Sequence, residues 1–217
     1  MKFTPNFKIL GRLAGVFAIT AGLAGCMDVE AEIEVLSATT GKATSSITIS
    51  PEFYPMIKQM TEAGGQGSQS EPFCAKEGEE LVENDDGSGT CITVKEGDLA
   101  TLTADGDGAP SDDASFTEVS PGVIRVSFKT EDMKSSVAEG AGGSAGGDAE
   151  TEQAMAMIKP YFEGHNVSIT IKGKKITETN MTASGDGTSA TMEIPFLELL
   201  EGKTDLPDEL YAVVDTN

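Results

Sequence analysis

The chain has 217 residues, 36 of them acidic and 15 basic, a formal charge of −21, 25 glycines, no tryptophan and 38% hydrophobic residues. That length suits one domain of ordinary size or two small ones, and the glycine content suits a compact core interrupted by loops. So acidic a chain repels nucleic acid and anionic lipid headgroups alike, which excludes nucleic-acid binding and any membrane attachment through a basic patch.

The first segment in chain order stands apart from this balance. Lys2, Lys8 and Arg12 precede Cys26 and no Asp or Glu does, so the residues after 25 hold 12 basic against 36 acidic side chains, a formal charge of −24. "LAGVFAITAGLA" at 13–24 is an apolar run of signal-peptide length, shorter than the roughly 20 residues a spanning helix needs. "LAGC" at 23–26 matches the bacterial lipobox, a branched apolar residue, two small residues and a cysteine. In this motif the thiol receives a diacylglycerol, the chain is cut before the cysteine, and the new amino terminus is often acylated, palmitate being the expected chain. Residues 1–25 are therefore expected to be a lipoprotein signal peptide and Cys26 the lipidation site. Each buried methylene contributes about 0.8 kcal/mol, so two or three acyl chains hold a protein stably where one does not. The competing readings are an ordinary cleaved signal with an incidental cysteine, or an uncleaved anchor.

"DVEAEIEVLS" at 28–37 alternates, with Val29, Ala31, Ile33 and Val35 on one side and Glu30, Glu32 and Glu34 on the other, the pattern of a half-buried strand. "ATTGKA" predicts a Gly-containing turn, and Ala43, Ser45, Ile47 and Ile49 predict a returning strand. That strand starts so close to Cys26 that almost no linker remains. A helix follows over 51–62, its apolar face read from Phe53, Met56, Ile57 and Met60 at i, i+3, i+4, i+7. A loop at 63–71 leads into an irregular region around Cys74 and Cys91. Once Cys26 is set aside these two cysteines are an even pair, and a disulfide is expected from their export to an oxidising compartment. A metal site or two free thiols compete with it, but two cysteines with no nearby histidine make a poor zinc site.

"TCITV" and "DLATLTA" read as short strands, and "SFTEVSPGVIRVSFKT" as a hairpin turning at Pro121-Gly122 with Ile124, Val126 and Phe128 inward. A flexible low-complexity insertion at 139–150 precedes a helix over 151–162, with Met155, Ile158 and Phe162 on one side. "NVSITIKGKKITETNMT" predicts two strands around Gly173, "GTSATMEI" a third after the "SGDG" turn, and "PFLELLEG" a short helix. Residues 204–217 are expected to be a C-terminal tail, with no apolar run long enough for a second anchor. The expected fold class is α+β, mainly antiparallel sheet built from hairpins with two or three short amphipathic helices packed on one face. Residues 26–203 are expected to form one such domain.

Two stretches, "GCMDVEAEIEVLSATTGKATSSITI" and "HNVSITIKGKKITETNMTASGDGTSATMEI", resemble the LppM-type lipoprotein domain of bacteria. That resemblance implies an α+β lipoprotein domain contacting lipids or envelope partners, and it implies no catalytic residues.

No catalytic motif stands out. His165 is the sole histidine, so a hydrolase would need a Ser or Cys nucleophile converging on it. "NDDGSG" at 84–89 and "DGDG" at 105–108 offer oxygen ligands beside Gly turns but lack EF-hand spacing. Solvated Asx-Gly turns account for both, and no metal, cofactor or catalytic residue is expected. The functional expectation is a non-enzymatic binding domain in the bacterial cell envelope, anchored to a membrane, facing the periplasm or cell exterior and engaging an envelope protein partner. The alternative is a carrier or sensor of a lipid or other hydrophobic ligand. Its pocket would lie between the Met-rich helices and the sheet, lined by Phe53, Met56, Ile57, Met60, Met155, Ile158 and Phe162.

Overall fold

The computed structural model describes residues 27–63, 73–102, 114–131, 160, 162–201 and 203–217. They form two sheets and three short helices. The larger sheet has seven strands in the order β3-β4-β2-β1-β7-β10-β9, β9 being the short Thr182–Ala183, and the smaller has four in the order β5-β6-β11-β8. This is an α+β chain whose core is dominated by sheet, as its hairpin-like patterns predict.

Strand β1 (Met27–Val35) lies inside the large sheet, antiparallel to β2 (Thr40–Ile49) on one side and parallel to β7 (Asn166–Gly173) on the other. All three alternate strictly, so the register that buries one strand buries its neighbours. Ala31 stands opposite Ile169 and Ile33 opposite Ile171, each at most 1% exposed. The expected β1–β2 hairpin forms, but Gly41 is not in its turn. The turn is 36–39, closed by Ser37, whose Oγ accepts from the Thr39 and Thr40 amides. Gly41 sits within β2 with Leu99 packed against it.

The layer facing the large sheet is mainly a second sheet. Strand β6 (Val123–Lys129) turns back from β5 (Ala114–Ser120) at Pro121-Gly122 as predicted, with Ile124, Val126 and Phe128 buried. Beside β6 lies β11 (Glu209–Asp215), which corrects the expectation of a C-terminal tail. Leu210, Ala212 and Val214 are fully buried opposite Phe128, Val126 and Ile124. "LYAVV" is a five-residue apolar run, long enough for a central strand though too short for an anchor. Ile33, Ile169, Ile171 and Ile194 from the large sheet meet these residues in a single core. Each such side chain contributes about 1.5–3 kcal/mol by leaving water.

Two further expectations are revised. "DLATLTA" is not a strand: β4 runs unbroken through Gly89–Asp98 and ends in helix α2 (Leu99–Leu102), whose two leucines plug one end of the core. β7 and β8 (Lys175–Thr179) flank Gly173 as expected but do not pair, because β7 belongs to the large sheet and β8 pairs with β11 in the small one. The chain changes sheets at Gly173, where a Cβ would overlap Val214 Cγ1. Only glycine allows the two layers to meet so closely there.

Helix α1 (Tyr54–Ala63) packs over Ile49 and Gly89, on the same face of the large sheet as Ala43 and the second sheet, and helix α3 (Phe196–Leu200) follows β10 (Ser189–Pro195) with Pro195 as its N-cap. No helix of the described residues is long and apolar enough to cross a membrane.

Candidate functional site

The geometry that bears on function begins at Met27. Strand β1 starts there, one residue after Cys26, and Met27 pairs with Ile49, which in turn pairs with Gly89 and that with Glu83. These four residues form one row across an end of the sheet, and the chain enters the domain through that row without a spacer. Its first residues are fastened: Asp28 Oδ1 accepts from the Asn166 amide at 3.0 Å and lies 3.3 Å from His165 Nδ1. The His165 carbonyl accepts from the Phe196 amide, which ties α3 to the same end.

The outer face of the large sheet is polar. Glu30 and Glu32 of β1 are flanked by Thr44 and Ser46 of β2 and by Ser168 and Thr170 of β7 around a shallow groove of about 220 Å³. Ser46 Oγ donates to Glu30 Oε2 at 3.0 Å, and Lys172 Nζ lies 2.5 Å from Glu32 Oε2. Hydroxyl pairs Thr48–Thr90 at 2.9 Å and Thr170–Thr191 at 3.0 Å extend the pattern to either side. Such a face offers oxygen acceptors and negative charge, which favours cations and N–H donors and gives an acyl chain nothing to pack on.

The small sheet's outer face differs, because its charges are matched internally. Arg125 lies 3.6 Å from the Tyr211 ring centroid and donates to Glu209 Oε2 at 2.6 Å, while the Tyr211 hydroxyl donates to Glu178 at 2.7 Å. Hydrogen bonds from Ser127 and then Arg125 hold the Glu209 carboxyl below the usual range.

The residues singled out from the sequence fall in several places. Cys74 and Cys91 are joined as a disulfide, their Cα atoms 5.4 Å apart. The region between them is a hairpin rather than irregular, with β3 (Glu79–Glu83) antiparallel to β4. Glu79 lies near both sulfurs, but sulfurs bonded to each other offer no thiolate to a metal. In the "NDDGSG" turn Asp86 Oδ1 accepts from the Ser88 amide and hydroxyl, and those bonds lower its pKa. "DGDG" and Cys26 lie outside the described residues.

Of the apolar set, Phe53 is half-buried and precedes the helix, Met56 is 45% exposed, and Ile57 is buried with Ile49 and Tyr54 in a small cluster. Among the described side chains of α1, Tyr54 and Ile57 are buried, and Met56 of the expected stripe is not. Tyr54 turns inward because Gly89 leaves room for its ring, which a Cβ there would strike, and because its hydroxyl donates to Glu83 Oε1 at 2.9 Å. Phe162 belongs to the other, larger core, stacked on Phe196 at 5.2 Å. Phe53 and Ile57 thus share the small cluster, while Met56 is exposed and Phe162 lies in the other core. Of Met60 only its place in α1 is described, and Met155 and Ile158 lie outside the described residues.

Sequence reading passed over the row at the entry of β1 and the pairing of β1 with β7. The signal available was the matching alternation of 29–35 and 167–171, which marks two strands with the same buried side but not their adjacency. No family model and no curated protein matches the chain. Among solved structures, the chain is similar in fold to the folded domain of the Mycobacterium tuberculosis LppM protein, determined by NMR. The match spans 88% of this chain and 91% of that one, at 9% identity and a TM-score of 0.46. The likeness is weak, as is the resemblance of the two quoted stretches.

Proposed function

We propose that the chain is a lipid-anchored, non-enzymatic protein of the bacterial envelope, held at a membrane through Cys26. Its large sheet presents a carboxylate- and hydroxyl-lined face to a cationic envelope partner. The observation that carries the reading is the start of β1 at Met27, directly after the lipobox cysteine. With no spacer, a lipid on Cys26 holds the domain against the bilayer rather than on a tether. The acidic face supplies the second part, because solvated carboxylates beside hydroxyls attract a basic partner over several ångströms and are screened by salt.

The test is fractionation of the expressed full-length chain with intact-mass analysis. The wild type is expected in the membrane fraction with a diacylglyceryl mass on Cys26, and Cys26→Ser is expected to lose both; membrane retention of that variant would overturn the anchor. For the face, capture of envelope proteins by the anchored domain should weaken as ionic strength rises and again in a Glu30→Gln/Glu32→Gln variant. Salt-insensitive capture would remove the acidic face from the contact.

A further inference from the structure

We infer that helix α1 is a second membrane contact, its exposed side resting on the bilayer beside the lipidated cysteine. The inference rests on the anchor reading above and adds the orientation of the domain. Three observations on separate elements lead to it.

The first is position. Cys26 precedes Met27, and Met27, Ile49, Gly89 and Glu83 form one row of strand ends. Helix α1 follows Ile49 after a short turn and lies over that row. Its Tyr54 ring covers Gly89, and the Tyr54 hydroxyl and Lys58 Nζ both reach Glu83 Oε1, at 2.9 and 2.6 Å. The helix is therefore held at the end of the domain where the acyl chains are attached.

The second is the side it leaves outward. Tyr54 and Ile57 are buried, while Pro55, Met56 and Gln59 are exposed, Met56 by 45%. A lone exposed methionine is ordinary on any protein surface. Its significance comes from location, since an anchor one residue before β1 gives this side of α1 a high effective concentration at the bilayer, where a small apolar contact suffices.

The third is charge. Lys58 is paired with Glu83, and Asp28, Glu52, Asp85 and Asp86 lie near the same end. A basic-helix mode of membrane binding is thereby ruled out, and the contact must be apolar, with the uncharged headgroup region of a zwitterionic leaflet.

The absence of tryptophan allows a direct test, because any introduced tryptophan is the sole one. Met56→Trp and, one turn on, Gln59→Trp place the probe on α1 at exposed positions. Leu36→Trp, 47% exposed just past the far end of β1, is the control. The rise of a strand places it about 26 Å or more from Met27 along β1. Full-length lipidated variants are reconstituted in phosphatidylcholine vesicles with brominated acyl chains, after the mass of each confirms the diacylglycerol. Both α1 probes are expected to lose most of their emission and shift to the blue on reconstitution, and the Leu36 probe to do neither. Equal quenching of all three, or of none, in lipidated protein overturns the inference and leaves the anchor standing. A chain that carries no lipid defeats the anchor reading, and this inference with it.

Discussion

Among the described residues, two apolar clusters of different construction lie on the same sheet. The larger lies between the two sheets and draws on β1, β2, β5, β6, β7, β10 and β11 as well as α2 and α3. The smaller, beneath α1, consists of Ile49, Tyr54 and Ile57 with Phe53 and Phe73 at its margin. The first is held mainly by burial of aliphatic side chains, with Phe128 and the stacked pair Phe162–Phe196 among them. In the second, burial is supplemented by the Cys74–Cys91 bond, by an edge-on contact of the Tyr54 and Phe73 rings at 6.4 Å, and by the two donors on Glu83. A region with too few apolar side chains to close a core is completed by covalent and polar links, as in small domains generally. The smaller cluster is also the one at the end where β1 begins.

The sharpest way to break this contrast is to truncate one residue of each cluster. Ile169→Ala should cost about 4 kcal/mol of global stability by urea unfolding, because a site packed from both sheets cannot collapse. Ile57→Ala should cost about 2 kcal/mol, since α1 can settle onto the sheet. Equal losses would mean that the clusters unfold as one.

Next in size is the corner at Gly173, where alanine would press on Val214 and should cost about 2–3 kcal/mol by the same measurement. Gly89→Ala should instead displace Tyr54 and register in the smaller cluster, as loss of the Tyr54–Glu83 bond. Reducing the disulfide, which closes a sequence separation of 17, should remove up to about 3 kcal/mol. Hydrogen exchange should quicken in β3 and the adjoining part of β4 while β7 and β11 keep their protection. Loss of protection throughout would show that the smaller cluster supports the larger.

The smallest effects are titrations. Burial first, then the hydrogen bond to Glu83, raises the pKa of Tyr54 above 10.0. A raised pKa favours the fold fully below pH 10, and the contribution fades as pH rises through the folded-state value. In Glu83→Gln the phenolate absorbance of Tyr54 should therefore appear at lower pH than in the wild type. Asp186, in the turn before β10, works in the opposite sense. The Ser184 hydroxyl, then the Thr188 amide and hydroxyl, lower its pKa from 3.8 to about 2. Its contribution is present above pH 3.8 and is lost as pH falls through about 2. Ser184→Ala should move the carboxyl NMR titration back toward 3.8.

Much of this arrangement was legible from short-range pattern. The alternation in 28–35, 43–49, 124–128 and 167–171 marks strands and their buried sides because the side-chain period of a strand is two. Pro121-Gly122 marks its turn through backbone preference, and the parity of Cys74 and Cys91 marks the disulfide. For α1, helical periodicity identified the helix but not its rotation: Met56 and Ile57 are both apolar, and which of Met56 and Tyr54 turns inward was decided by the space over Gly89.

What local pattern does not contain is the choice of neighbour. Nothing in "EAEIEV" states that its parallel partner is "SITIK", more than 130 residues on, or that "LYAVV" completes a second sheet instead of trailing from the first. Alternation records that a face must be buried; only the closing of the chain decides against what, because any complementary apolar face would satisfy the same requirement. The "LAGC" match to the lipobox pattern and the acidity of the chain are properties of composition and order, complete without a fold. That Met27 lies in the row carrying α1, so that the start of β1 and a helix share one end of the sheet, is a fact of three dimensions.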